Sequence, residues 1–172
     1  MDVKGSSCGF LGGDPGVVAA GEFCVVAEAS FESGDGHGVL ADGEGAEWPL
    51  SRKFGCAPDM AVDVLERAHG LGLQAYGISF HVGSQQHNIE AWDRALASTA
   101  AIFRGCAERG ISLSLVNLGG GFPAKYLRKT PKLESYGKAI FRALRRHFGN
   151  AIPETIIEPG RGMVGNAGVI EA

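Results

Sequence analysis

Three short stretches concentrate the side chains able to do chemistry: His81-Val82-Gly83-Ser84, Asn117-Leu118-Gly119-Gly120-Gly121-Phe122-Pro123 and Glu158-Pro159-Gly160-Arg161-Gly162. The first offers an imidazole and a hydroxyl, and the third a carboxylate and a guanidinium. In the second, an apolar run (Leu113, Leu115, Val116, Leu118) stops at three consecutive glycines. Residues without a Cβ let backbone N–H groups approach a ligand closely and adopt positive φ, at an entropic cost. Such a backbone nest suits an anion, most simply a phosphate. Taken singly, each stretch has a plainer reading. Three glycines make a tight turn, a histidine after a strand is a hydrogen-bonded loop residue, and Glu158 or Arg161 alone is a surface ion pair. Together they are complementary. A glycine turn with an arginine fits a phosphate, and a carboxylate beside a heteroaromatic nitrogen would hold it protonated, so a phosphorylated heterocycle fits all three.

The surrounding pattern says what positions them. Pro58 suits a first helical turn, with Asp59 at the positive helix end, and Ala61, Val64, Leu65 and Ala68 repeat at helical spacing before Gly70 and Gly72, predicting a helix over about 58–69. Residues 75–80 read as a short apolar strand, after which His81 to Ser84 turns into a polar loop. A second helix is expected over about 89–109, capped by Asn88, with Trp92, Leu96, Phe103 and Ala107 on one side and Gly110 as its stop. Residues 113–118 form the next strand. Thr130-Pro131 cap a third helix, on which Leu133, Tyr136, Gly137, Ile140, Phe141, Leu144 and Phe148 trace one face, with Trp92, Tyr136 and Phe141 expected in the core. Arg145, Arg146 and His147 suit its negative end. A third strand, 155–157, runs into Glu158. Helix and strand alternate, which predicts an α/β fold with parallel strands, and each loaded loop follows a strand's C-terminal end, where ligand sites gather.

At 172 residues the chain holds one core. A formal net charge of −3 gives no reason to expect a nucleic-acid or anionic-membrane partner. No apolar run is long enough for a bilayer span and the start lacks signal-peptide character, so a cytoplasmic location is expected. Cys8, Cys24, Cys56 and Cys106 show no C-x-x-C spacing and read as free thiols, with no metal site. Residues 1–46 hold eleven of the 27 glycines with little periodicity beyond a strand-like 23–27, and the composition changes sharply after them. Two regions are expected, an irregular glycine-rich segment over 1–45 and a folded domain over 46–172.

Ser51-Arg52-Lys53-Phe54-Gly55, Ser79-Phe80-His81-Val82-Gly83-Ser84-Gln85, Asn117 to Pro123, and Glu158-Pro159-Gly160-Arg161 with Val164-Gly165-Asn166-Ala167-Gly168 occur in one order along the chain. That succession resembles the motifs of the ornithine/diaminopimelate/arginine group of pyridoxal-phosphate decarboxylases, over about 45–172, and is closest to the ornithine/lysine branch. The resemblance implies the later part of an alanine-racemase-like (β/α)8 TIM barrel, incomplete in this chain. It implies pyridoxal 5'-phosphate as cofactor, with His81 stacking on its ring, Ser84 binding its phosphate and Gly119, Gly120 and Gly121 forming the cradle. Glu158 would pair with the pyridinium nitrogen, and Gly160 and Arg161 would complete the phosphate site. His81 and Glu158 are thus the candidate catalytic residues. The implied reaction is decarboxylation of a small-molecule basic amino acid, ornithine to putrescine, with lysine or diaminopimelate as alternative substrates; Phe80 before His81 resembles the ornithine/lysine branch. The implied full-length assembly is a homodimer.

The sequence also departs from the family pattern. The early Tyr-Ala-Val-Lys-like motif that carries the family's cofactor-linked lysine is absent; Val3-Lys4-Gly5 is a faint echo too near Lys53, and the region where an upstream arginine belongs is Gly34 to Gly45. The join near residue 45 resembles a displaced reading frame or an incorrect gene start. A non-enzymatic regulator or a truncated remnant of the same fold is the alternative from another class, and a generic phosphate-binding barrel a third. Without the lysine, covalent catalysis lacks its anchoring amine. The purified 172-residue chain is therefore expected to show no substantial CO2 release from ornithine; a rate comparable to that of a full-length relative contradicts this.

Overall fold

The computed structural model describes residues 24–28, 46–48, 55–127 and 129–168. Along the chain run β1 (Cys24–Glu28), β2 (Ala46–Trp48), α1 (Pro58–Gly70), β3 (Gln74–Ser79), β4 (Ser84–Gln86), α2 (Ala91–Glu108), β5 (Leu115–Asn117), α3 (Leu133–Phe148), β6 (Glu154–Ile156) and α4 (Gly160–Val164). The fold is mixed α/β, as the alternation requires. Four strands form one parallel sheet in the order β1-β3-β5-β6, while β2 and β4 make a separate antiparallel pair. Each strand of the main sheet lies beside the one before it in that series, with α1, α2 and α3 as the intervening helices. The order never reverses, so the sheet has no switch point of the doubly wound kind.

Local chemistry explains the helices. Pro58 occupies the first position of α1, where its missing N–H is no loss. At the end of α2, Gly110 takes φ 76°, its N–H reaches the Ala107 carbonyl at 2.9 Å, and the Ile111 N–H reaches Cys106 at 2.9 Å. That is a Schellman closure. Asn88 is not the cap of α2, which starts at Ala91 after Glu90; it forms the turn just before, its Oδ1 accepting the Glu90 N–H at 3.0 Å and its carbonyl the Ala91 N–H at 3.2 Å. Thr130-Pro131 do not cap α3, which begins at Leu133 after Lys132.

The three long helices pack as a layer, α2 against both α1 and α3. Trp92, Leu96, Ile102 and Cys106 of α2 join Ala61, Val62 and Leu65 of α1, Tyr136, Ile140 and Leu144 of α3, and Ile78, Val116 and Leu118 from the sheet in one core. Ion pairs bind the outer edge of α2 to α3: Glu90 with Arg142 at 2.9 Å, and Asp93 with both Arg146 at 2.9 Å and His147 at 3.0 Å.

Several expectations need correction. Val64, Ala107, Leu133 and Phe141 face outward, Leu133 at 70% and Phe141 at 64% exposure. Phe141 follows Ile140 directly, so it is rotated by about 100° from the buried stripe of Tyr136, Ala139, Ile140, Ala143 and Leu144. Ser84 lies in β4, whose partner strand β2 is distant in sequence, and Gly160-Arg161-Gly162 open a short helix where a loop was expected. The strand-like stretch expected at 23–27 is present as β1 and joins the main sheet, Cys24 pairing with Gln74 and Glu28 with Ser79. The remainder of 1–45, with Cys8, Val3-Lys4-Gly5 and Gly34 to Gly45, lies outside the described residues, as do Ser51 to Phe54. No helix among the described residues is long and apolar enough to cross a membrane.

The burial difference on α3 is directly measurable. Phe141→Ala should change unfolding free energy by no more than about 0.5 kcal/mol, while Leu144→Ala should destabilise by roughly 2–5 kcal/mol. Urea midpoints of the two variants check the pair.

Candidate functional site

Because β3, β5 and β6 run parallel and in register, with Ser79 beside Asn117 and Asn117 beside Ile156, their C-terminal ends finish together. The ladder continues beyond the strands. The Phe80 N–H donates to the Asn117 carbonyl at 3.0 Å, Leu118 N–H to Ile156 at 2.8 Å, and Glu158 N–H to the Gly119 carbonyl at 2.9 Å. His81, the glycine run and Glu158 are thereby brought to one place.

Gly120 lies between the other two. A Cβ there would stand 2.9 Å from the Glu158 carbonyl oxygen and 3.1 Å from His81 Nε2. The flanking glycines have φ of 62° (Gly119) and 98° (Gly121). A Cβ on Gly119 would run into the Phe80 carbonyl, and one on Gly121 would come 2.6 Å from the Gly83 carbonyl. The glycine run is therefore required first by close packing of backbone on backbone.

Hydrogen bonds fix this turn from several sides. Asn117 Oδ1 accepts the Gly119 N–H at 3.0 Å, and the Gly121 carbonyl accepts the Gln86 N–H at 2.8 Å. The N–H groups of Gly120 and Gly121 have no hydrogen-bond acceptor among the described residues. From the helix side, Trp92 Nε1–H donates to the Leu118 carbonyl at 3.3 Å, and the Tyr136 hydroxyl to the Gln86 carbonyl at 2.8 Å. Burial pushes the Tyr136 hydroxyl up to about 12, so it stays a donor. Trp92, Tyr136 and Phe122 meet at ring-centroid distances of 5.0 to 5.9 Å, which wedges Phe122 and its preceding glycines in place.

The chain leaving the turn is gripped by two carboxamides. Gln85 Oε1 accepts the Ala124 N–H at 2.8 Å and its Nε2 donates to the Ala124 carbonyl at 3.2 Å. Asn166 does the same to Lys125, at 2.8 and 2.7 Å. Gln85 is fully buried with φ 53°, a left-handed conformation uncommon for a residue with a Cβ. Gly162 and Gly165 let α4 approach, a Cβ on them falling 3.0 Å from Phe122 Cβ and 2.7 Å from Ala124 Cβ.

His81 accepts the Gly83 N–H on Nδ1 at 2.9 Å. Its proton is thus on Nε2 in the neutral form, the atom beside Gly120. Ser84 follows directly and is half-buried, whereas Glu158, Gly160 and Arg161 are exposed. Glu158 Oε1 accepts a 3.0 Å bond from Asn117 Nδ2. The expected site residues divide accordingly. His81, Gly119, Gly120, Gly121 and Glu158 are in mutual contact or one bond removed, Ser84 is joined through Gly83, and Gly160 and Arg161 stand at the start of α4. Sequence reasoning assigned no role to Asn117, Gln85 or Asn166. All three lie inside the quoted motifs, which was the available signal. Among the described residues no group of three or more His, Cys, Asp or Glu is placed to hold a metal ion.

These features define an α/β protein with a polar site at the C-terminal ends of a parallel sheet. The chain belongs to the family described as pyridoxal-dependent decarboxylase, pyridoxal binding domain, whose match covers residues 40–165. It is similar to a lysine/ornithine decarboxylase of Selenomonas ruminantium, 36% identical over 120 residues, covering 69% of this chain and 30% of that protein. A diaminopimelate decarboxylase of Staphylococcus aureus is 36% identical over 131 residues, covering 73% and 30%. Among solved structures, a variant of SrLDC in complex with PLP matches with a TM-score of 0.71 at 30% identity, over 83% of this chain and 34% of that one. The chain thus spans about a third of the length of the relatives it matches. Pyridoxal phosphate is the cofactor of the family.

Burial holds His81 below its ordinary value of 6.5, with the Glu158 charge partly offsetting it. As pH falls through 6.5, the unfolded chain takes up a proton that folded His81 refuses. Stability should then drop until pH passes the folded value, and be fully present above 6.5. His81→Gln should flatten that part of the profile, seen as a smaller fall in urea midpoint between about pH 7.5 and about pH 5.5.

Proposed function

We propose that this chain is the pyridoxal-phosphate-holding part of a decarboxylase of basic amino acids, with L-ornithine as substrate and putrescine as product of the full-length protein. The observation that carries the reading is the meeting of His81, Gly120 and Glu158 where β3, β5 and β6 end together, with two glycine N–H groups there that have no acceptor among the described residues. These residues fit the cofactor: the glycine turn is an anion nest, His81 offers an aromatic face, and Glu158 keeps Oε2 available to a protonated ring nitrogen. Ser84, Gly119, Gly120, Gly121, Gly160 and Arg161 would hold the phosphate. Of the three glycine N–H groups, those of Gly120 and Gly121 are the ones available, since Gly119's already reaches Asn117.

When bound, pyridoxal phosphate supplies a sink for the electron pair left as CO2 departs. The protein's contribution is orientation. Glu158 would accept a hydrogen bond from the protonated ring nitrogen and so keep that proton in place, and neutral His81, with Nδ1 engaged by Gly83, would keep its plane fixed against the ring. The architecture we infer for 46–172 is the later part of a (β/α)8 barrel, supported by a parallel sheet in sequential order; residues 1–45 would be a separate segment apart from β1. Homodimer formation by the full-length protein is part of the same proposal. Lysine/ornithine and diaminopimelate relatives match at the same 36% identity, so the preference for the ornithine/lysine branch over diaminopimelate rests on Phe80 preceding His81, and that residue does not separate ornithine from lysine.

Titration of the chain with pyridoxal phosphate and with simple sugar phosphates, followed by cofactor absorbance and tryptophan fluorescence, tests the site. Pyridoxal phosphate should bind preferentially, and Glu158→Ala should weaken it by roughly tenfold or more, the scale of one lost charge-assisted hydrogen bond. Equal binding of all phosphates would defeat the assignment. Turnover of ornithine, lysine and diaminopimelate by the full-length protein decides the substrate.

A further inference from the structure

We infer that Asn117 is a positioning residue that sets both the glycine turn and the carboxylate of Glu158, and so couples the two ends of the cofactor site. The inference rests on the pyridoxal-phosphate reading above for its ligand, but its geometry stands in the protein alone. Asn117 closes β5, is 7% exposed, and uses both atoms of its carboxamide. Oδ1 accepts the Gly119 N–H at 3.0 Å and Nδ2 donates to Glu158 Oε1 at 3.0 Å.

The orientation of the amide is dictated by its neighbours. Flipped, it would set an NH2 against the Gly119 N–H and an oxygen against a carboxylate, losing both bonds at once. The backbone reinforces the same link, because the Glu158 N–H is held by the Gly119 carbonyl at 2.9 Å. Glu158 is therefore tied to the glycine turn twice, once through its backbone and once through Asn117. Asn117 Nδ2 occupies one lone pair of Oε1, which leaves Oε2 as the oxygen with both lone pairs open to a ligand. One carboxamide thus fixes which oxygen of Glu158 faces the ring nitrogen while it holds the first glycine of the turn that would receive the phosphate.

The variant Asn117→Asp separates the two halves of this role. An aspartate still accepts the Gly119 N–H, so the turn is kept, but it places a second carboxyl at the 3.0 Å contact with Glu158. Two carboxyls at that distance hold together only with a proton between them. The charge of His81 couples to that of Glu158, and Arg161 of α4 is a further charged group three residues along the chain. Pyridoxal-phosphate affinity of Asn117→Asp relative to the unsubstituted chain should be nearly equal at about pH 6 and weaker by roughly tenfold at about pH 9. Glu158→Ala should abolish that added pH dependence in the double variant. A role limited to shaping the turn would leave Asn117→Asp parallel to the unsubstituted chain at both pH values, and would overturn the inference.

A measurement without cofactor keeps the inference independent of the reading it rests on. By NMR hydrogen exchange on the full chain, the Gly119 amide should stay protected in Asn117→Asp and lose protection in Asn117→Leu. The Asn117 side-chain amide protons should exchange faster in Glu158→Ala. If these exchange results appear while pyridoxal phosphate fails to bind, the positioning role holds and the cofactor assignment falls. Unchanged exchange of the Asn117 amide in Glu158→Ala removes the positioning role itself.

Discussion

A stretch of backbone with no secondary structure of its own, Leu118 to Lys125, must be held still beside a polar site, and the rest of the molecule is arranged around that requirement. Buried backbone polar groups need partners, and here side-chain amides and neighbouring backbone supply them. Asn117 takes the Gly119 N–H, Gln86 the Gly121 carbonyl, Gln85 both groups of Ala124 and Asn166 both groups of Lys125. A carboxamide presents one donor and one acceptor side by side, so Gln85 and Asn166 can stand in for an adjacent strand. Among the described residues this grip leaves two N–H groups without an acceptor, at Gly120, which lies against His81 and the Glu158 carbonyl, and at Gly121.

The parallel register explains why those groups meet. Ser79, Asn117 and Ile156 stand side by side, and a shift of one residue in either pairing would send Glu158 or His81 to the other face of the sheet. The aromatic cluster of Trp92, Phe122 and Tyr136 secures the arrangement from the helix layer, since Trp92 hydrogen-bonds the Leu118 carbonyl of the loop and Tyr136 the Gln86 carbonyl of β4. Core packing and site geometry are thus one set of contacts. A change in Trp92 or Tyr136 would be felt at the glycine turn.

Much of this was legible in the sequence. Helical spacing with Pro58 at one end and Gly110 at another located α1 and α2 to within a few residues, and strand-end motifs located His81, Gly119 to Gly121 and Glu158. The errors have physical causes. Hydrophobicity alone puts Phe141 in the core, and its angle to Ile140 turns it outward. Ser84 has no local strand signal because β4 owes its strand to β2, a partner far away in sequence. Asn117, Gln85 and Asn166 could be quoted as motif letters, but their function is to bond backbone atoms 2 to 41 positions away, and no local pattern encodes that. The glycines were read as a ligand cradle, and much of their necessity comes from Phe80 and Gly83 carbonyls pressing on them.

The central claim is that the N–H groups left free by this grip receive the phosphate of pyridoxal phosphate. Amide chemical-shift mapping during a pyridoxal-phosphate titration tests it directly. The largest shifts are expected at Gly120 and Gly121, with Glu158 and His81 following. Shifts confined to the opposite end of the strands, around Gly72 and Gly110, or none at the glycine turn, would contradict it.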